Sequence, residues 1–391
     1  MPSASTPRLL AVTMIIALAR LAPAAAPAAP AWGRIDDAAA GLGRHAFVVE
    51  RWPADGRLTV PAGFPQIIRA AADAGDLLVE YNADATAVAV LAADTGRPTV
   101  IEIETAEETR QFDDGRIVLT ARSALVDGTR AKLESHPGNH RIGFWSNPAD
   151  SVSWTWKPTR WGAYDARLVY STASPSGSEI AVAIGDATLP GRLESTGSWY
   201  RYTTLPLGRV VIPSTGDLAV RVRCTKPVGG AVMNLKAIVL TPTCEGTPPK
   251  QAADGSTLLH ARDATIRGTT LRWEPAEKKQ TLGYWMRPTD AAEWTFSIDA
   301  PGAFDVEVLQ GCGAGQGGSE MAIDVDRGRP HASSLAFTVE DSGGFQAFKT
   351  RIVGRVTLEA AGEHLLHVQP RTIAKTAACD IRQIRLVPVA P

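Results

Sequence analysis

The sequence predicts an all-β protein: a small β-sandwich followed by two tandem, mutually related β-sandwiches. Three observations lead there. Short apolar runs alternate with turns rich in glycine (35) and proline (27), and long stretches of helical periodicity are scarce. The chain also contains a copy of part of itself. Leu-His-Ala-Arg-Asp-Ala-Thr-Ile-Arg-Gly (259–268) lies over Leu-Thr-Ala-Arg-Ser-Ala-Leu-Val-Asp-Gly (119–128) at an offset of 140. Finally, each copy is about 130 residues long, an ordinary size for one core, whereas a solenoid needs several stacked shorter units.

The duplication runs the length of both copies. At the same offset Gly143-Phe144-Trp145 faces Gly283-Tyr284-Trp285, Pro148 and Asp150 face Pro288 and Asp290, and Trp154 faces Trp294. Past a short insertion the offset becomes 146, where Gly208-Arg209-Val210 meets Gly354-Arg355-Val356 and Asn234-Leu235 meets Asp380-Ile381.

Composition narrows the function classes. An apolar fraction of 45% with 21% charged residues describes a globular chain, not a disordered one. With 40 basic and 41 acidic residues the net charge is −1, which leaves no electrostatic footprint for nucleic acid. At the N-terminus Arg8 precedes the apolar run Leu9–Ala19, and Ala22–Ala31 offers small residues for cleavage. Residues 1–31 therefore read as a signal peptide, placing the mature protein in the periplasm or outside the cell; the other reading is a retained, disordered tail. The run is broken by Arg20 and falls short of the roughly 20 residues that span a bilayer. No cysteine precedes Cys224, so a lipid-anchored cysteine at the cleavage site is excluded. In an oxidising compartment Cys224, Cys244, Cys312 and Cys379 raise the question of disulfides, one per repeat being the economical assignment. Connectivity does not follow from sequence, and small buried thiols are the alternative.

Taken in order, the first sandwich occupies 44–110. Its strands are Ala46–Trp52, Leu58–Val60 after the turn Pro53-Ala54-Asp55-Gly56, Ile67–Ala71, Leu77–Tyr81, Ala87–Leu91 and Val100–Glu104. Glu107-Glu108 and Asp113-Asp114, in the junction that follows, read as solvated charge. The first repeat spans 114–243, with strands at 152–156, 165–170, 179–184, 210–212, 218–222 and 235–240. A linker, 244–253, contains Thr247-Pro248-Pro249-Lys250 and separates it from the second repeat, 254–389. There the strands fall at 293–296, 304–309, 320–325, 337–340, 355–358, 364–368 and 381–387.

Several motifs carry no chemistry here. Gly313-Ala-Gly315-Gln-Gly317-Gly318 matches a dinucleotide fingerprint, but Glu320–Val325 alternates like a strand, and such a site needs a helix immediately after the glycines. His364 and His367 stand three apart on a strand, so they point to opposite faces and cannot share an ion. No pair of carboxylates is nominated for glycoside cleavage, and the metalloprotease, nucleophile-elbow and closely spaced Cys/His patterns are missing. Trp154 and Trp294 read as core, while Trp145 and Trp285, which abut proline turns, are open between core and surface.

Each repeat resembles the family 6 and family 35 carbohydrate-binding modules, which are jelly-roll sandwiches of the galactose-binding type. The landmarks are the opening Leu-x-Ala-x-x-Ala, Gly283-Tyr284, the turn and strand Pro301-Gly302-Ala303-Phe304-Asp305-Val306, Gly343-Gly344-Phe345-Gln346-Ala347-Phe348, the hairpin Val356–Val368 and the closing Asp380-Ile381. The resemblance implies a noncatalytic module that holds a glycan, a polysaccharide or glycoconjugate, at the loop end of the sandwich. Sugar C–H faces stack on aromatic rings and hydroxyls need a polar partner. Carried over by position, the rings are Phe144 and Trp199 in the first repeat and Tyr284 and Phe345 in the second; the polar residues are Asn234 and Asp380. The alternative for each is packing under a loop or a local hydrogen bond. The family's structural calcium is expected to be absent, because Thr120, Arg122 and Lys236, and His260, Arg262 and Arg382, stand at its positions; Arg122 and Arg262 are expected to bond loop carbonyls instead. No cofactor is implied.

Residues 47–61 with 98–104 are similar to the C-terminal β-domain of α-L-fucosidases, although no catalytic barrel precedes them here. That likeness implies a separate glycoside hydrolase, or a sulfatase, as partner. It also leaves two further readings: a truncated hydrolase relative, and a sandwich that only packs against another protein.

Overall fold

The structure, a computed structural model, describes residues 33–36, 40–61, 63–83, 87–91 and 100–389. The expected signal peptide, 1–31, lies outside the described residues, as do Pro98 and Thr99. Among the described residues the chain is all-β; its helical turns are the short Ala40–Leu42, Ala121–Ser123 and Ala261–Asp263. Among the described residues no helix is long and apolar enough to cross a membrane.

Each repeat encloses its core between two antiparallel sheets. In the first, Arg141–Gly143, Asn234–Pro242, Gly162–Thr172 and Ser198–Ile212 are successive neighbours, with Ile117–Thr120 also paired to Asn234–Pro242. Opposite them run Leu125–Asp127, Ser151–Trp156, Leu218–Lys226, Glu179–Ile184 and Ala187–Arg192. Strand alternation explains the division of faces: Leu218, Val220 and Val222 point inward, and Ala219, Arg221 and Arg223 point out. The second repeat repeats the plan, with Gly302–Cys312 between Gly344–Leu358 and Asp380–Pro388 in one sheet and Ala291–Ile298, Gly362–Thr372 and Glu320–Val325 in the other. Trp145, Trp285, Trp154 and Trp294 are all buried. The Trp154 and Trp294 indoles donate to the Thr120 and His260 carbonyls at 2.9 and 2.8 Å.

Two strands differ from the sequence expectation. Ala187–Arg192, not among the expected strands, is an edge strand, the place in a sheet where Pro190 is tolerated. Ser198–Ile212 is a single strand of 15 residues, although Pro206 and Gly208 interrupt its pattern; a register shift opposite Ala166 and Arg167 absorbs them.

The N-terminal segment has a core of its own, around Phe47, Leu58, Val90 and Ile103, and is joined edge to edge to the first repeat. Its strand Gly75–Tyr81 pairs with Ser198–Ile212 through Glu80↔Arg201 and Val79↔Tyr202, so one continuous sheet runs from it into the first repeat. The outer face of that sheet is closed by Ile68, Ala106, Phe112 and Val118 against Val169, Ala237 and Val239, which is why nearly all of Asn234–Pro242 is buried. Glu107 and Asp114, expected in solvent, are structural here. Glu107 accepts from the Gln66 amide at 2.7 Å, and Asp114, 7% exposed, accepts from Arg116 N at 3.0 Å. Buried Arg116 pairs with Glu104 and donates to the Leu42 carbonyl. Glu108 and Asp113 stay exposed.

The repeats meet through Arg160, buried, which donates to the Gly268 and Ile266 carbonyls at 2.9 and 3.1 Å. Beside it Trp161 Nε1 donates to the Trp273 carbonyl at 2.9 Å, and Arg287 pairs with Asp113 at 3.0 Å.

All four cysteines are free thiols, a correction to the bridge in each repeat. Cys224 belongs to Leu218–Lys226 in one sheet, whereas Cys244 follows Asn234–Pro242 in the other. Cys312 and Cys379 are buried members of the second core, and burial pushes the Cys379 thiol well above its ordinary range.

Candidate functional site

At one end of each sandwich an aromatic pair divides between core and solvent. Trp145 and Trp285 are fully buried, while their neighbours Phe144 and Tyr284 are 57% and 41% exposed. The division is made by the backbone. Phe144 and Tyr284 adopt φ of 55° and 62°, and Ser146 N–H and Met286 N–H donate to their carbonyls at 2.8 Å. A left-handed aromatic residue costs on the order of 1 kcal/mol or more and persists only where the surroundings impose it. Here the next residue imposes it: the Trp145 and Trp285 rings are buried, and their backbone carbonyls accept from Val232 N–H and Ala378 N–H at 2.8 and 2.9 Å.

A polar floor lies beside each exposed ring. Gly143 packs against Glu134 and Asn234, and Gly283 against Glu274 and Asp380, so closely that a side chain at either glycine would collide with the glutamate. Across each ring sits a cation: Lys132 Nζ is 4.2 Å from the Phe144 centroid, and the Arg272 guanidinium is 4.1 Å from that of Tyr284.

In the first repeat these groups line a cleft of about 320 Å³, bounded by Glu134, Arg141, Phe144, Trp199, Tyr200 and Asn234. The three residues expected there, Phe144, Trp199 and Asn234, are thus brought together. Arg141 bonds Glu134 at 3.0 Å and lies 5.5 Å from the Tyr200 ring centroid. Asn234 is buried, and its amide donates to the Trp199 carbonyl at 2.8 Å. It positions the Trp199 loop with its nitrogen and turns its oxygen toward Gly143.

The second repeat builds a different version. Gly311 pairs with Asp380 and Cys312 with Gly344, which sets Asp380 and half-buried Phe345 at the same strand end. Tyr284, across Gly283, completes the set. Trp161 of the first repeat crosses the edge of Tyr284 at 5.8 Å, and Arg272 lies between the two rings, 4.2 Å from Trp161. Glu274 is bonded by Lys279 at 2.5 Å. Burial first, and the Glu274 charge second, push the Asp380 carboxyl up to about 8. It is a proton donor at neutral pH where Asn234 stands in the first repeat.

Glu134, Arg141 and Tyr200, with Lys132, Arg272, Glu274 and Trp161, were not singled out in the sequence. The offset of 140 does set Lys132 and Glu134 over Arg272 and Glu274, a signal available but masked by the ordinary look of charged strand residues. Arg122 and Arg262 are exposed, and Arg122 pairs with Glu108 at 2.8 Å. Neither holds a loop. That task falls to Arg382, which donates to the Lys278 and Lys279 carbonyls at 2.9 Å. Among the described residues no cluster of three or more His, Cys, Asp or Glu is arranged for a metal ion. His364 and His367 contact separate carboxylates, Asp326 and Glu293.

No family model and no curated protein matches this chain. Solved structures resemble it in part. A xanthan lyase from Paenibacillus is 14% identical, with 89% of this chain and 34% of that chain covered and a TM-score of 0.31. This chain therefore spans about a third of the lyase. A family 35 carbohydrate-binding module from Clostridium thermocellum is 15% identical, covering 32% of this chain and 96% of that one, TM-score 0.27. A carbohydrate-binding module of a Cellvibrio mixtus lichenase, solved with cellotriose, is 18% identical, covering 34% and 97%, TM-score 0.28.

Proposed function

We propose that this chain is an exported, noncatalytic carbohydrate-binding protein with two glycan sites, one in each repeat as delimited at 114–243 and 254–389. The observation that carries the reading is duplicated geometry: in both repeats a ring is held in a strained backbone conformation and presented to solvent beside a buried polar floor. A ring face takes the apolar side of a sugar, and the floor takes its hydroxyls. In the first site Phe144, Trp199 and Tyr200 supply faces and Glu134 and Arg141 supply charged hydrogen-bonding groups around an open cleft. The second offers Tyr284, Phe345, a protonated Asp380 and the Glu274–Lys279 pair, and so selects a different ligand. A glycan array on the purified chain, followed by calorimetry on the hits, tests this. Trp199→Ala is expected to abolish one set of ligands and Tyr284→Ala another; an array silent for the intact chain sinks the reading.

One observation favours a second reading, a hydrolase relative. Asp380, whose carboxyl is raised to about 8, and Glu274 both lie against Gly283, and glycosidases work with two carboxyl groups at one site. Release of nitrophenol from aryl fucosides and related aryl glycosides by the purified chain, lost in Asp380→Asn, would decide for it.

A further inference from the structure

The two repeats differ at one edge. In the first, the outer edge of Ser198–Ile212 is occupied by Gly75–Tyr81 from the N-terminal segment. In the second, the corresponding strand Gly344–Leu358 is the last in its sheet. It is 15 residues long, an unusually long row of backbone donors and acceptors to leave unpaired.

The occupied edge shows what such an edge takes. Gly75–Tyr81 brings acidic residues and a ring: Glu80 pairs with Arg201 at 2.8 Å, Asp76 bonds Thr204, and Tyr81 closes over Lys236. The Lys236 amine ends up between Tyr81 and Tyr202, 3.8 and 3.9 Å from their centroids. In the second repeat Arg382 and Phe348 stand at the positions of Lys236 and Tyr202, and the Arg382 guanidinium lies 3.9 Å from the Phe348 centroid. The cation and the inner ring are present; the outer ring is not. Ala347, Lys349 and Thr350, at the positions of Arg201, Thr203 and Thr204, are exposed, and Phe348 is half-buried where Tyr202 is buried. Arg351 and Arg355 are held by Glu340 and Asp305, so the edge charge centres on exposed Lys349, which disfavours pairing with a second copy of itself in register and favours an acidic strand.

We propose that the outer edge of Gly344–Leu358, around Phe348 and Lys349, docks an extended acidic strand bearing an aromatic residue, supplied by a partner protein, in the way Gly75–Tyr81 docks on the first repeat. Backbone pairing along the edge supplies the affinity, and the ring over Arg382 with a carboxylate on Lys349 supplies the selection.

The probe is a fluorescent synthetic peptide of residues 73–83, titrated with the full chain and followed by anisotropy. Saturable binding is expected, weakening as salt rises and weakened several-fold by Lys349→Glu and by Phe348→Ala. A peptide with Lys in place of Asp76 and Glu80 should not bind. Lys349 is exposed, so its variant keeps the test sound where Phe348→Ala loosens the strand. No binding, or binding that both variants leave unchanged, overturns the proposal. A concentration-dependent dimer lost in Lys349→Glu, without peptide binding, overturns it too and assigns the edge to a second copy.

Discussion

Asp380 and Asn234 occupy one position in two copies of a site, and the difference between a carboxyl and an amide governs what each can do. With its folded value raised from 3.8 to about 8, Asp380 holds a proton that the unfolded chain releases. Stability therefore falls as pH rises through that window. Thermal melts between pH 4 and 9 should show this decline, and Asp380→Asn should flatten it and melt higher than the parent at the alkaline end. Glu293 runs the other way. Burial opposes its charge, but His367 and Arg267 outweigh the burial and bring it from 4.5 to about 2. Its contribution is full above the unfolded value and is lost as pH falls toward 2. Acid titration of Glu293→Gln should lose that component while the neutral-pH fold is retained.

At the scale of strands, the exchange that matters is between Gly75–Tyr81 and Ser198–Ile212. Burial pulls the Lys236 amine well below the usual lysine range, with Arg141 adding to the effect. Its Nζ has no hydrogen-bond partner, only the two ring faces. Ring faces return about 2 kcal/mol to a desolvated cation, against several kcal/mol for removing it from water. Because the folded state holds this proton less well than the unfolded one, stability at the seam should rise as pH climbs toward 10.5. Lys236→Met should remove that slope and be neutral or stabilising by about 1 kcal/mol or more at pH 7, read from denaturant midpoints. Gly143→Ala is expected to do the reverse: Glu134 must move, and glycan affinity in the first cleft should fall while the second site is untouched.

Across the whole molecule, the repeats are coupled by Arg160 and by Trp161, which walls the second site from the first repeat. Arg160→Ala leaves the Gly268 and Ile266 carbonyls without their donor, a loss of about 1–3 kcal/mol. The two repeats should then unfold in separate calorimetric transitions where the parent shows one for both. A junction this ordered fixes the direction between the two sites, so a ligand long enough to reach both gains avidity only if its geometry matches that fixed angle.

Strand content, the duplication and the burial of Trp154 and Trp294 were legible from sequence because period-2 alternation and a constant offset are local signals; the burial of Trp145 and Trp285 was not. Phe144, Trp199 and Asn234 were legible as one cleft, since position within a repeat carries over. Other features depended on distant partners. Glu107 and Asp114 looked like surface charge until Gln66 and Arg116 were brought to them. The strand Ala187–Arg192 was not among those expected, because edge position, which tolerates Pro190, is a property of the sheet. Cys224 and Cys244 suggested a bridge because spacing along the chain says nothing about which sheet each thiol leaves from.

By itself the sequence determined an all-β chain built twice over one plan, with an aromatic residue set beside a tryptophan in each copy. Only the tertiary structure decided that one copy's edge is filled and the other's is open, and that Trp161 reaches across to Tyr284. Asp380 acquires its proton the same way, beside a carboxylate more than a hundred residues earlier in the chain. Alternation is written in neighbours, whereas pairing, burial and shared charge belong to residues that meet only when the sheets close.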